Sequence, residues 1–94
     1  MADFAVEKEI TAQNQFTDWI QITGSALLTI RDVSSMSMTV TLQCKQEGDT
    51  SAIDSDTETG EGAWVMQNCG GLYWRVGCKT GDYTSGTANV MISR

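Results

Sequence analysis

Residues 36–45 alternate with a period of two. Met36, Met38, Val40, Leu42 and Cys44 are apolar, and Ser37, Thr39, Thr41, Gln43 and Lys45 lie between them. Successive side chains of a strand point to opposite faces, so the first set lines a core and the second faces out. Wound as a helix, the same residues would scatter apolar groups all round. The pattern returns where Leu72, Trp74, Val76 and Cys78 alternate with Tyr73, Arg75, Gly77 and Lys79. It returns again at Ala88, Val90 and Ile92, and in shorter form at Ala26, Leu28 and Ile30. Residues 16–22 predict a strand with Phe16, Ile20 and Ile22 on one side and Trp19 on the other. Phe4, Val6 and Ile10 mark an N-terminal strand. Lys8 shares their face and Glu7 and Glu9 occupy the other, a pattern suited to a sheet edge.

Turn chemistry separates these runs. Gln46-Glu47-Gly48-Asp49 suits a hairpin. Thr59-Gly60-Glu61-Gly62 parts a polar strand from residues 63–67, and Asn68-Cys69-Gly70-Gly71 is a strong turn that leaves Cys69 exposed. Thr80-Gly81-Asp82 and Ser85-Gly86 bracket the last connection. Short strands with turns every 8–12 residues or so describe an all-β fold. The expectation is a single jelly-roll or immunoglobulin-like β-sandwich of about seven to eight antiparallel strands, its second half a meander of hairpins. Ninety-four residues suit one domain, 1–94, with residues 1–15 as an N-terminal arm or an edge strand.

Composition narrows the function. Twelve Asp and Glu against six Lys and Arg leave a net charge of -6, which argues against nucleic acid as a partner. With no His, the His-dependent triads and His metal sites are excluded. No apolar run reaches the roughly 20 residues that span a bilayer, and the N-terminus lacks the basic and apolar regions of a signal peptide, so neither a membrane nor export is expected. Cys44, Cys69 and Cys78 have no Cys-x-x-Cys spacing, which points to free thiols and no metal. The acidic stretch of Asp49, Asp54, Asp56, Glu58 and Glu61 resembles a calcium loop, but its glycine falls late and Val65 sits where a bidentate Glu belongs. Read as a strand, it puts Asp54, Asp56 and Glu58 on one solvated face that blocks edge pairing. Asp18, alone among apolar neighbours, is the acid best placed for a perturbed pKa; a partnered or rim aspartate is the simpler reading. No catalytic residue and no cofactor is expected, and the chain does not read as an enzyme.

Trp64 and Met66 alternate with Ala63 and Val65, so both faces of that strand are apolar and one needs a cover outside the domain. Residues 2–11 are charged on one side and carry Phe4, Val6 and Ile10 on the other. Phe4, Val6, Ile10, Trp64 and Met66 are therefore the candidate partner-contact residues.

Residues 38–43, Met-Thr-Val-Thr-Leu-Gln, and residues 71–90, from Gly-Leu-Tyr-Trp-Arg-Val-Gly-Cys to Tyr-Thr-Ser-Gly-Thr-Ala-Asn-Val, resemble small virion structural proteins of tailed bacteriophages. Phe16-Thr17-Asp18-Trp19 fits the same pattern, while Cys44 and the Trp64–Cys69 region depart from it. The resemblance covers about four fifths of the chain. It implies a capsid decoration (cement) protein that bridges major capsid proteins as a homo-oligomer, dimer or trimer. Such a protein is made in the host cytoplasm and resides on the virion surface. The alternatives are a tail, fibre or head-appendage module, and a carbohydrate-binding module using its tryptophans as platforms.

Overall fold

The computed structural model describes residues 5–67 and 69–94, and among these every regular element is a strand. In chain order they are β1 (Ala5–Ile10), β2 (Gln15–Phe16), β3 (Ile20–Ile22), β4 (Ala26–Met38), β5 (Val40–Lys45), β6 (Ile53–Glu58), β7 (Gly62–Met66), β8 (Leu72–Cys78) and β9 (Tyr83–Ser93). One sheet, A, runs β1-β9-β4-β7; the other, B, runs β2-β8-β5-β6, with β3 also pairing β8. All the pairings are antiparallel. Because β2 and β3 lie along the same edge of β8, they act as one interrupted strand. The order is then that of an eight-stranded jelly roll with two Greek keys, the first of the two sandwich forms expected.

The core is the layer between the sheets. Ile10, Leu28, Ile30, Val90 and Ile92 come from sheet A and Ile22, Val40 and Val76 from sheet B, each no more than 2% exposed. Fully burying such a side chain stabilises by about 1.5–3 kcal/mol, and these alternating positions are what holds the sheets face to face. Met38, Leu42 and the half-buried Trp74 join the same cluster, as the alternation implied.

The chain from 36 to 45 is not one strand. Met38 ends β4 in sheet A, Val40 begins β5 in sheet B, and Thr39 makes the corner, its N–H donating to Asp82 O at 2.9 Å. Alternation runs straight through the corner because both sheets face the same core. The expected meander of hairpins is also corrected. After the β5–β6 hairpin the chain crosses the sandwich at every connection, with β6 in sheet B, β7 in A, β8 in B and β9 in A. Turn residues fix where a chain reverses, not which strand it pairs with. Ser85-Gly86 is no turn: Gly86 lies inside β9 at φ 88°, where β4 and β9 slip register.

Two bulges change which side chains face out. Between the pairs Phe16↔Gly77 and Ile20↔Trp74, residues 17–19 stand opposite only residues 75 and 76. The extra residue reverses the parity, so Phe16 faces outward with Trp19 rather than inward with Ile20 and Ile22. Thr17 fills the break; its N–H donates to Val76 O at 2.9 Å and its Oγ1 accepts from Val76 N at 3.2 Å. In the hairpin, Leu42↔Asp56 is followed by Gln43↔Asp54, leaving Ser55 as the extra residue. Asp54 therefore shares the outer face with Gln43, while Asp56 lies on the other side with Leu42.

All three cysteines are free and buried. Cys69, expected at the surface, is 1% exposed. Its N–H donates to Gly24 O at 3.0 Å and its carbonyl accepts from Trp74 Nε1 at 3.3 Å, which ties the glycine-rich turn down over the core. Burial pushes all three thiols up from their ordinary value, and Asp82 adds to the rise at Cys78.

Candidate functional site

Residues 5–10 do not project as an arm. They pair with β9 from Ala5↔Ser93 to Ile10↔Ala88 and form one edge of sheet A. Ile10 is 0% exposed and Val6 packs half-buried against the core, so neither lies open to a partner in this fold. Phe4 lies outside the described residues. At the opposite edge of sheet A, Met66 is buried and Trp64 is half-buried against the core. Trp64 leans back over Gly62, where a β-carbon would stand 2.7 Å from the indole.

The outward residues of β7 are Ala63 and Val65. Val65 is 68% exposed and pairs with Leu27, which is 40% exposed on the outer face of sheet A. A recess of about 230 Å³ opens between the β6 and β7 edges, with Trp64, Trp74 and Leu42 on its walls and Asp56 at its lip. Trp64 and Met66, the β7 residues named from the sequence, face inward, and Val65 is the one that stands open. The signal for Val65 was present, since a strand apolar on both faces exposes one of them.

The outer face of sheet B carries a second constellation. The Arg75 guanidinium carbon lies 4.2 Å from the centroid of Phe16 and 4.6 Å from that of Trp19, and Lys45 Nζ lies 4.7 Å from the Trp19 centroid. Arg75 Nε donates to Gln43 Oε1 at 2.9 Å. Gln43 Nε2 donates to Asp54 Oδ1 at 2.9 Å, and Lys79 Nζ reaches Asp54 Oδ2 at 2.6 Å. The hydrogen bond from Lys79, then that from Gln43, holds the Asp54 carboxyl below its ordinary value, and Asp54 raises Lys79 in return. Burial lowers Arg75. The residues come from β2, β5, β6, β8, Lys79 just beyond it and the bulge at 17–19, so the bulge that turns Phe16 outward brings the rings to this cluster. Alternation along the strands placed Gln43 and Arg75 on outward positions; cross-strand register alone brings them together.

Neither surface assembles a set of reacting groups. Among the described residues no three Cys, Asp or Glu gather as metal ligands. Asp18 is exposed on the bulge, and Asp49 closes its own turn by accepting from Gln46 N at 3.0 Å. Both surfaces have the makings of recognition: an apolar edge in one case, rings and cations in the other. Comparison of the chain with protein-family models, curated proteins and solved structures found no match.

Proposed function

We propose that this chain is a capsid decoration protein of a tailed bacteriophage, working as a homo-oligomer that bridges major capsid proteins on the virion surface. The reading rests on the resemblance carried by residues 38–43 and 71–90, and one observation supports it best. The β7 edge has no charge in its strand, and Val65 stands out from it beside Leu27. The other edges are protected. The β1 edge carries Glu7, Lys8 and Glu9, β6 carries Asp54, Asp56 and Glu58, and the β2/β3 edge is broken by its bulge. A chain of charge -6 that leaves one apolar edge open has a place for another protein to add to its sheet or cover it.

The glycan-binding alternative requires open ring faces. Trp19 is engaged by Lys45 and Arg75, and Trp64 and Trp74 are half-buried in the seam. The experiment is attachment of purified protein to undecorated heads, read by co-sedimentation and by copies per particle. Saturation at hundreds of copies, lost in Val65→Lys with the fold intact, is the expected result. A few copies per particle would point to an appendage, and unchanged attachment of Val65→Lys would remove β7 from the contact.

A further inference from the structure

We propose that the outer face of sheet B receives an acidic segment of a partner protein, a carboxylate seating on Arg75 with Lys45 beside it. The first ground is the position of Arg75. It stands at the centre of β8, with Phe16 and Trp19 on one flank and Gln43 on the other, and these three fix the guanidinium plane. Gln43 is itself oriented. Its amide nitrogen is taken by Asp54, so its oxygen is turned to Arg75, and the second oxygen of Asp54 is held by Lys79.

The second ground is what Arg75 lacks. Acids outnumber bases two to one, yet among the described residues no carboxylate pairs with this guanidinium. Its described hydrogen bonding is the one from Nε, and the two terminal nitrogens have no acceptor among the described residues. Asp54, the nearest acid in the network, is already satisfied. Burial disfavours the charged guanidinium, as the lowering of Arg75 reflects. A planar fork pinned between two rings on one flank and Gln43 on the other, with its terminal nitrogens unused, is matched by the two oxygens of a carboxylate.

The third ground is Lys45. Its ammonium approaches the same indole as Arg75, and its described hydrogen bond is a long one, 3.4 Å, to the Asp49 carbonyl. Two cations are thus held at one indole, and an anion that neutralises either one relieves their mutual repulsion. A shallow recess of about 190 Å³ lies beside Lys45, walled by Trp19 and Tyr73, with Glu47 and Gly48 of the hairpin closing it. The recess suits a side chain or two, not a polymer.

Charge selects the occupant. A long polyanion would also meet Asp18, Glu47, Asp49 and Asp54 around the site, in a chain already at -6. A short acidic peptide needs only the terminal nitrogens of Arg75 and the Lys45 ammonium, and the carboxylates of Asp54 and Asp49 are already bonded, the first to Lys79 and Gln43 and the second to Gln46 N. The inference stands apart from the virion reading, since any partner with an exposed acidic segment satisfies it.

The test is a nuclear magnetic resonance titration of the full chain with acetyl-tetraglutamate amide, following Arg75 Nε–H and the Trp19 indole N–H. Saturable shifts confined to this face are expected, with Kd at or below about 1 mM. Lys45→Gln should weaken binding severalfold. Arg75→Lys, which keeps the charge but loses the fork, should weaken it about tenfold or more. Tetraglutamine should produce nothing. Shifts that do not saturate, or affinity unchanged in both Arg75→Lys and Lys45→Gln, would overturn the site. Tighter binding of a heparin oligosaccharide than of the peptide would overturn the assignment to a protein segment.

Discussion

Gly77 is held against Phe16. The two are cross-strand partners, and a β-carbon on Gly77 would stand 2.6 Å from Phe16 Cα and 2.7 Å from its Cγ. Only a residue without a side chain lets β2 run this close to β8, and Phe16 is thereby set where Arg75 stacks on it. The structural and the recognition roles of this face thus meet at one glycine.

Gly77→Ala should destabilise the fold by about 1–3 kcal/mol, because backbone rather than a flexible side-chain end must move. Urea denaturation measures it. The Arg75 resonances should shift as well; a neutral substitution would mean that β2 is free to retreat from β8.

Thr41 lies on the other side of Gly77, in register with it, at 1% exposure. Its Oγ1 has no hydrogen-bond partner among the described residues. Replacing a buried, unpaired hydroxyl with a methyl of similar shape removes a desolvation cost, so Thr41→Val should be neutral or stabilising by up to roughly 2 kcal/mol. Loss of stability in thermal unfolding would show that the hydroxyl is satisfied after all.

Val40→Asp should abolish folding. Val40 is 1% exposed in the layer between the sheets, where a carboxylate meets no partner. A soluble variant with the native far-ultraviolet spectrum would put Val40 on the wrong face.

The thiols set an alkaline limit. Their folded pKa values are raised above the ordinary 9.0, so the unfolded chain ionises first as pH rises. The stability they contribute is complete below about pH 9 and is lost as pH climbs through the folded values. Native protein at pH 8 should react slowly with a thiol reagent, and denatured, unreduced protein should show all three thiols. Unfolding free energy should therefore fall as pH rises above about 9.

Asp54 sets an acid limit of opposite sign. Its folded pKa is lowered by Lys79 and Gln43, so its contribution is present above the ordinary carboxylate value and is lost as pH falls through the lowered one. Asp54→Asn should be less stable than the parent at neutral pH and should narrow the gap below about pH 4. Parallel pH profiles for the two proteins would deny the Lys79–Asp54 pair this role.

The strands themselves were legible in the sequence. Val40 and Leu42, Trp74 and Val76, Val90 and Ile92 alternate with polar residues, and a two-residue period has one solution, an inward and an outward face. The edge character of β1 and β6 was legible for a similar reason, because charges spaced along a strand exclude it from the middle of a sheet. Pairing was not legible. Hairpin and crossover use the same glycine-rich turns, so β6, β7 and β8 read as a meander and fold as three crossings of the sandwich. The outward cluster was hidden further still. Phe16 faces outward only because residues 17–19 hold one residue more than β8 opposes, and Gln43 meets Asp54 only because Ser55 bulges. Single-residue slips of this kind reverse a strand's faces while leaving its composition untouched. They are decided by how neighbouring strands fit against one another, which is a property of the folded sheet and not of any segment within it.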